Sequence, residues 1–355
     1  MAILDQYIDS IYGPIHIPQL AIKFIKAKEF RRLKYVNQCG NVPYALGIGG
    51  YKKKDHNRYE HCIGTMHLSG LMFDSILNNS AHINKNIRKK YSYLKIYVML
   101  AGLLHDIGHG PRSHLFQEAI EKKNELYKKQ GIDIHLEFNH EQYSIDLIKK
   151  INDRDRIIKD PKLLHLINAM IIGNKIPDEN FPNFIFEIVA NKTSGLDSDK
   201  FDYLVRDAFY FNKYSKKEVY SKLDIEYILG AIMINKKRNI TFPNSARDII
   251  NSVFLRRKLL FIDIYYHPKV VKYDRAVICY LLKLINKQED VYFFAHLNDN
   301  SFDIVLKKYG FTSLVSKQEC THQCENCKTI KLKREAKLSG DTHLNPMLLI
   351  KFRND

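Results

Sequence analysis

The chain has 355 residues, 45% hydrophobic and 27% charged, with a formal charge of +17; this excludes a disordered chain and leaves room for one large domain plus an appendage, or for two domains. No run of about 18 apolar residues occurs, and residues 1–7 lack a basic stretch followed by an apolar one, so neither a membrane span nor a signal peptide is expected, and the location is cytoplasmic or nuclear. The positive charge favours a polyanionic partner, nucleoside triphosphate or weakly held nucleic acid, although scattered lysines more often form a solvated surface.

In chain order, apolar residues recur at helical spacing over Leu20–Tyr35, His61–Leu77, Leu94–Ile107, Glu141–Ile151, Asp199–Tyr210 and Ala246–Tyr266. Strand-like stretches are confined to Asn239–Phe242 and Met347–Ile350. The expected fold is therefore all-α, with a few short strands. Near Asn286 the pattern shortens and cysteines appear, which sets a soft boundary between a helical domain, 1–285, and a small C-terminal region, 286–355.

The segment Leu103–Pro111 is the first to carry chemistry. It places His105 and Asp106 at the end of a strongly apolar helix that Gly108, Gly110 and Pro111 then stop. A carboxylate buried there needs a partner, and a divalent metal would satisfy both side chains; a plain His–Asp hydrogen bond in the last helical turn is the alternative. Further ligands stand elsewhere. His61 opens the second helical pattern with Arg58 just before it. Asp197 can cap a helix whose polar face carries Asp199, Asp202, Tyr203 and Arg206. His109, His114 and the His140–Glu141 pair exceed what ligation requires and are candidates for proton transfer and phosphate contact. Two histidines and two carboxylates suit iron, manganese, magnesium or zinc, and Arg58, Lys200 and Arg257 would neutralise a polyphosphate. The residues read as metal-assisted hydrolysis of a phosphate ester.

Four separated blocks, Phe30–Gly40, His56–Gly64, His105–His114 and Asn191–Asp207, agree in order and spacing with the HD-domain phosphohydrolases. Over roughly residues 5–285 the chain resembles the deoxynucleoside triphosphate triphosphohydrolase branch that joins a sterile alpha motif to the HD domain. No such motif is expected ahead of these blocks, and the C-terminal lobe is expected to be short. The resemblance implies a metal held by His61, His105, Asp106 and Asp199. It implies a triphosphate met by Arg58, His109, Lys200, Tyr203 and Arg257, a 3'-hydroxyl read by Gln38 and Asp207, and Tyr265 against the sugar where a 2'-hydroxyl would sit. His114 and His140, with Glu141 beside them, match the catalytic group, and the products would be deoxynucleoside and inorganic triphosphate. Relatives assemble as dimers and larger homo-oligomers, so a homodimer or higher assembly is expected.

Several positions depart from that family. Gln117 stands where the family has an acid that orients the catalytic histidines, with Glu118 next to it. Cys39 replaces a bulkier residue beside the sugar, and Phe261 stands where the family has a further basic or histidine residue. Lys26 occupies the position of an acid that accepts hydrogen bonds from a guanine effector, which a lysine cannot do. Arg31 and Lys34 replace a nearby glutamine and arginine, and Pro243, Ser245 and Ile249, at the second effector site, cannot reproduce its contacts, so an enzyme without GTP or dGTP activation, or one regulated differently, is expected. The competing readings are another HD phosphohydrolase acting on nucleotides or nucleic-acid ends, and a weakly active nucleotide- or nucleic-acid-binding protein.

Six cysteines over this length do not make a disulfide framework. Cys320, His322, Cys324 and Cys327 form a candidate structural zinc set, which His343 can complete; a loop of free thiols is the alternative.

Overall fold

The computed structural model describes residues 5–47, 56–81, 83–177, 181–216 and 218–311. The cysteine cluster, His343 and the strand expected at 347–350 lie outside them. Among the described residues the fold is helical, with only two small antiparallel two-stranded sheets, and no helix is long and apolar enough to cross a membrane.

The centre of the fold is the helix Arg58–Asn79, which is buried on most of its circumference. Asn57 caps it: its side-chain oxygen accepts the Glu60 backbone N–H at 3.1 Å, which satisfies one of the free donors of the first turn. Against one side lies Lys95–Leu104, almost wholly apolar and buried from Leu100 to Leu104. The two can touch closely because residue 102 is glycine; a Cβ there would meet Ser69 and the Thr65 carbonyl. Against the other side lies Ser198–Ser215, capped by Asp197, which accepts the Lys200 N–H at 2.9 Å. The Ser69 and Ser198 hydroxyls join the central helix to its start at 2.8 Å. The polar face expected on this last helix therefore turns inward, onto the central helix, rather than to water.

Two expected helices are interrupted. Leu20–Tyr35 is a helix at Gln19–Lys26, a second turn at Lys28–Arg31 and a 3-10 turn at Arg32–Tyr35. The break falls at Ala27, which is extended (φ −64°, ψ 141°). The apolar period survives it because Ile25, Phe30 and Leu33 all face the same core. Ala246–Tyr266 is an α-helix, Arg247–Leu260, that continues as a π-helical turn, Phe261–Tyr265; such turns re-aim side chains and are frequent at functional sites.

The strand expected at 239–242 is present as Ile240–Thr241, paired with Met233–Ile234. An unforeseen hairpin joins Gln6–Asp9 to Gly13–His16. Its residues lack the β-branched runs that signal strands, and its turn is set by Asp9, which accepts the N–H groups of Ile11 at 2.8 Å and Tyr12 at 3.1 Å.

The helices Gln288–Ala295 and Asp299–Lys308 pack into the same core through Phe294 and Phe302. Asp299 accepts the backbone N–H groups of Asn37 at 3.0 Å and Arg112 at 2.8 Å. Arg32 donates to the carbonyls of Leu297, Ile107 and His109. These bonds fix the turn 107–113, in which Arg112 and Ser113 both hold positive φ, at 62° and 57°; non-glycine residues persist in that region only where their surroundings enforce it.

Candidate active site

The three packed helices deliver the expected ligands to one point. His61 comes from the first turns of the central helix, His105 and Asp106 from the end of the apolar helix, and Asp199 from the start of the third. His61 Nε2 lies 3.1 Å from Asp199 Oδ1 and 3.5 Å from Asp106 Oδ2. His105 Nε2 lies 3.4 Å and 3.5 Å from the same two oxygens.

Whether these residues fit a cation is decided by the far side of each imidazole. His61 Nδ1 is 2.7 Å from Asp202 Oδ2, and His105 Nδ1 is 2.8 Å from the Gly102 carbonyl. A carboxylate and a carbonyl only accept, so each Nδ1 carries a hydrogen and the neutral form of each ring turns its Nε2 lone pair inward. Both Nε2 atoms are buried and make no hydrogen bond. Lone pairs of two imidazoles facing two carboxylates repel one another unless positive charge sits between them. The same field shows in the proton affinity: although burial opposes the charged ring, Asp199 and Asp202 push the His61 pKa up to about 9, so without a cation a proton occupies the inward face of His61, and a divalent metal would displace it. Burial likewise works against the carboxylates, yet Arg58 and the neighbouring histidines hold Asp106 far below the usual range, and His105 and His61 do so for Asp199. The set fits a divalent metal.

Behind His61 runs a buried chain of charge. Asp202 accepts Arg206 Nε at 2.8 Å and Nη2 at 3.0 Å, and Arg206 Nη2 reaches Asp9 at 3.0 Å. This chain fixes the His61 tautomer. Replacing Asp202 by asparagine is therefore expected to weaken divalent-metal binding by about 10- to 100-fold, as measured by dialysis against a graded chelator; unchanged affinity would remove Asp202 from this role.

The remaining histidines stack beside the ligand set. The rings of His109 and His140 lie parallel with centroids 4.2 Å apart, and His114 stands edge-on to both at 4.7 Å and 5.3 Å. His109 Nε2 is 3.1 Å from Asp106 Oδ1. Neighbouring protein atoms first, then the positive charge of Arg58, lower the His114 pKa, although its ring keeps access to solvent, and burial takes His140 to about 4, so the His140 ring is neutral at pH 7. Gln117 holds His140, its Oε1 lying 2.9 Å from Nδ1. Glu141, one residue on, is half-buried, and burial raises its pKa.

The basic residues are already engaged. Arg58 pairs with Asp106 and donates to Ser113 Oγ at 3.1 Å and the Gln38 carbonyl at 3.2 Å. Lys200 pairs with its own helix cap, Asp197, at 2.7 Å. The Arg257 guanidinium lies 5.3 Å from the Phe261 ring centroid, so the aromatic at 261 supports a neighbouring cation instead of supplying one. Tyr203 is close enough to feel Arg257 and Lys200, but burial dominates and raises its pKa.

A second cluster lies at Asp207. Tyr265, carried by the π turn, donates to Asp207 Oδ2, while His56 Nε2 lies 2.8 Å from Oδ1 and 3.7 Å from Cys39 Sγ. Gln38 is buried beside this group, its Oε1 without a hydrogen bond. Sequence reading missed His56, Asp202 as a histidine partner, and Asp9. His56 sits in the block that carries Arg58 and His61, so proximity was the one available signal; the other two are joined to their partners across 141 and 197 residues, and nothing local marks them.

The profile of the HD domain family matches residues 58–209, the stretch that holds all four ligand candidates. Residues 58–209 are thus similar to an HD domain. The chain is 32% identical over 206 residues to the deoxynucleoside triphosphate triphosphohydrolase SAMHD1 homolog of Dictyostelium discoideum, covering 58% of this chain and 36% of that protein. It is 28% identical over 222 residues to human deoxynucleoside triphosphate triphosphohydrolase SAMHD1, covering 57% and 32%. An HD domain-containing protein of Acanthamoeba polyphaga mimivirus is 27% identical over 311 residues, covering 83% and 63%. The aligned part thus spans about a third of the length of the SAMHD1 relatives.

Proposed function

We propose that this chain hydrolyses dNTPs to deoxynucleoside and inorganic triphosphate in a metal-dependent reaction, without activation by GTP or dGTP. The observation that carries the reading is the convergence of two imidazole Nε2 atoms, of His61 and His105, on the carboxylates of Asp106 and Asp199, beside three further histidines, of which His109 is buried. A divalent cation held by these four residues would lower the pKa of a bound water and polarise a phosphoryl oxygen.

The protein's own groups do the rest. Arg58, His109, Lys200, Tyr203 and Arg257 receive the triphosphate; Arg58 and Lys200 must exchange Asp106 and Asp197 for phosphate oxygens, so part of their binding energy is offset by the partners they leave. Asp207 and Gln38 read the 3'-hydroxyl, and the ring of Tyr265 fills the space of a 2'-hydroxyl. His114 orients the attacking water, and His140 returns a proton to the departing 5'-oxygen. To do so His140 must first be charged, and the neutral Gln117 amide cannot stabilise an imidazolium. Gln117→Glu keeps the reach to Nδ1 and adds the charge; it should raise the His140 pKa toward neutrality and leave kcat equal or up to about tenfold higher. Gln117→Asp, one methylene shorter, should also retain at least the parental rate. A large loss in both, measured by steady-state kinetics at pH 7, would remove Gln117 and His140 from the proton path.

The alteration at Lys26, exposed on its helix and a donor only, supports constitutive activity, and a homodimer or higher oligomer is what the family resemblance implies. The test is to incubate the purified chain with manganese and each dNTP in turn, without GTP, and to follow products by ion-exchange chromatography. Equimolar deoxynucleoside and inorganic triphosphate are expected. Nucleoside monophosphate with pyrophosphate would instead favour another HD phosphohydrolase, and salt-dependent strand binding without turnover a binding protein. A strict requirement for GTP would overturn the constitutive reading alone.

A further inference from the structure

We propose that Cys39, His56 and Asp207 form a second metal site, distinct from the HD ligand set and selective for a thiophilic divalent cation such as Zn2+. A thiolate, an imidazole nitrogen and a carboxylate oxygen are zinc's three preferred donors. The donor atoms of the three residues all lie within 4.8 Å of one another. With Zn–S about 2.3 Å and Zn–N and Zn–O about 2.0–2.1 Å, a tetrahedral ion requires S···N of about 3.5 Å and N···O of about 3.3 Å. The observed separations are 3.7 Å and 2.8 Å, so shifts of a few tenths of an ångström complete the site.

Three further features favour ligation over the other uses of such a trio. Sulfur and carboxylate both face the same nitrogen, His56 Nε2; a cysteine nucleophile with its base and orienter would need the two nitrogens on opposite partners. Tyr265 donates to Oδ2 of Asp207 and so leaves Oδ1 directed at the cluster. His56 is held at φ 63°, a conformation that costs energy for a histidine and aims its ring inward. Cys39 and His56 are each partly accessible, so an ion can enter, and the Cys39 thiol proton leaves to solvent as the thiolate binds. Among the described residues, Cys62 and Cys279 belong to no comparable group. One consequence rests on the function proposed above: because Asp207 cannot both ligate zinc and read a 3'-hydroxyl, micromolar Zn2+ should inhibit manganese-supported turnover competitively with dNTP.

The site is tested without turnover, so its fate is separable from that of the proposed reaction. Co2+ is titrated into the full chain carrying Cys320→Ser, Cys324→Ser and Cys327→Ser, which removes the clustered thiols. The HD ligands offer no sulfur, so a thiolate-to-cobalt charge-transfer band in the near ultraviolet reports this site. The band should be present, vanish on adding Cys39→Ser, and need at least about tenfold more cobalt on adding His56→Ala. A chain with every cysteine intact supplies the second measurement: Zn2+ should slow iodoacetamide labelling of Cys39, followed by peptide mass spectrometry, about tenfold or more, while Mg2+ leaves it unchanged. No band, a band that survives Cys39→Ser, or equal labelling rates with and without Zn2+ would overturn the proposal.

Discussion

Under the proposed function, His105→Asn is expected to prevent a divalent metal from being held with His61, Asp106 and Asp199 and to lower dNTP turnover by at least about a thousandfold, the scale of losing a metal's charge stabilisation. The asparagine amide reaches the position of Nδ1 and can keep the hydrogen bond to the Gly102 carbonyl, which the ring makes at 2.8 Å, while it withdraws Nε2. The fold should therefore survive, and the melting temperature of the metal-free protein should stay within a few degrees of the parent. Metal content by plasma emission and steady-state kinetics read the outcome together. Full metal occupancy with more than about a tenth of parental turnover would show that the metal is held elsewhere, because one lost ligand of four costs orders of magnitude in affinity.

Arg206→Met should have the largest effect on stability, about 3–5 kcal/mol, because removing one partner leaves buried charges uncompensated. Arg206, Asp202 and Asp9 are all buried, Arg206 at 0% exposure, and no water can replace the guanidinium. For a chain of this size the loss corresponds to a fall in melting temperature of about 4–7 °C. Lys95→Ala is the control: it removes one half of the Lys95–Asp74 pair, whose side chains are 39% and 43% exposed, and such pairs contribute about 0–1 kcal/mol. Equal shifts in the two variants, measured by calorimetry, would show that the buried chain does not hold the hairpin and the third helix together. A methyl at Gly64 should act in the same direction, since its Cβ would overlap the Asp202 carboxylate and the Arg206 guanidinium.

The helices were legible because burial imposes its period on the chain: Leu100 to Leu104 had to be inside whatever packed around them. Their interruptions were not. Ala27 is an excellent helix former, and only the demand that both flanking pieces meet one core turns it extended. The π turn at Phe261–Tyr265 has no local signature either; it becomes intelligible once Tyr265 is seen to reach Asp207, 58 residues away. In the site, the adjacent His105 and Asp106 announced themselves because an acid and an imidazole at the end of an apolar helix are costly without a common partner. Asp202 looked like one more residue on a polar helix face, and it needed the central helix beside it to become the acceptor for His61.

By itself, then, the sequence determined which residue types stand at the ends of buried helices, and hence that two histidines and two carboxylates are available near apolar surroundings; those are local consequences of spacing and hydrophobicity. The tertiary structure decided what those residues face. It brought the Nε2 atoms of His61 and His105 to 3.1–3.5 Å from Asp106 and Asp199, fixed their tautomers through Asp202 and the Gly102 carbonyl, and joined Cys39 to Asp207 through His56. Such relations depend on lone-pair direction and on separations of tenths of an ångström between segments far apart in the chain, and residue spacing alone carries no information about either.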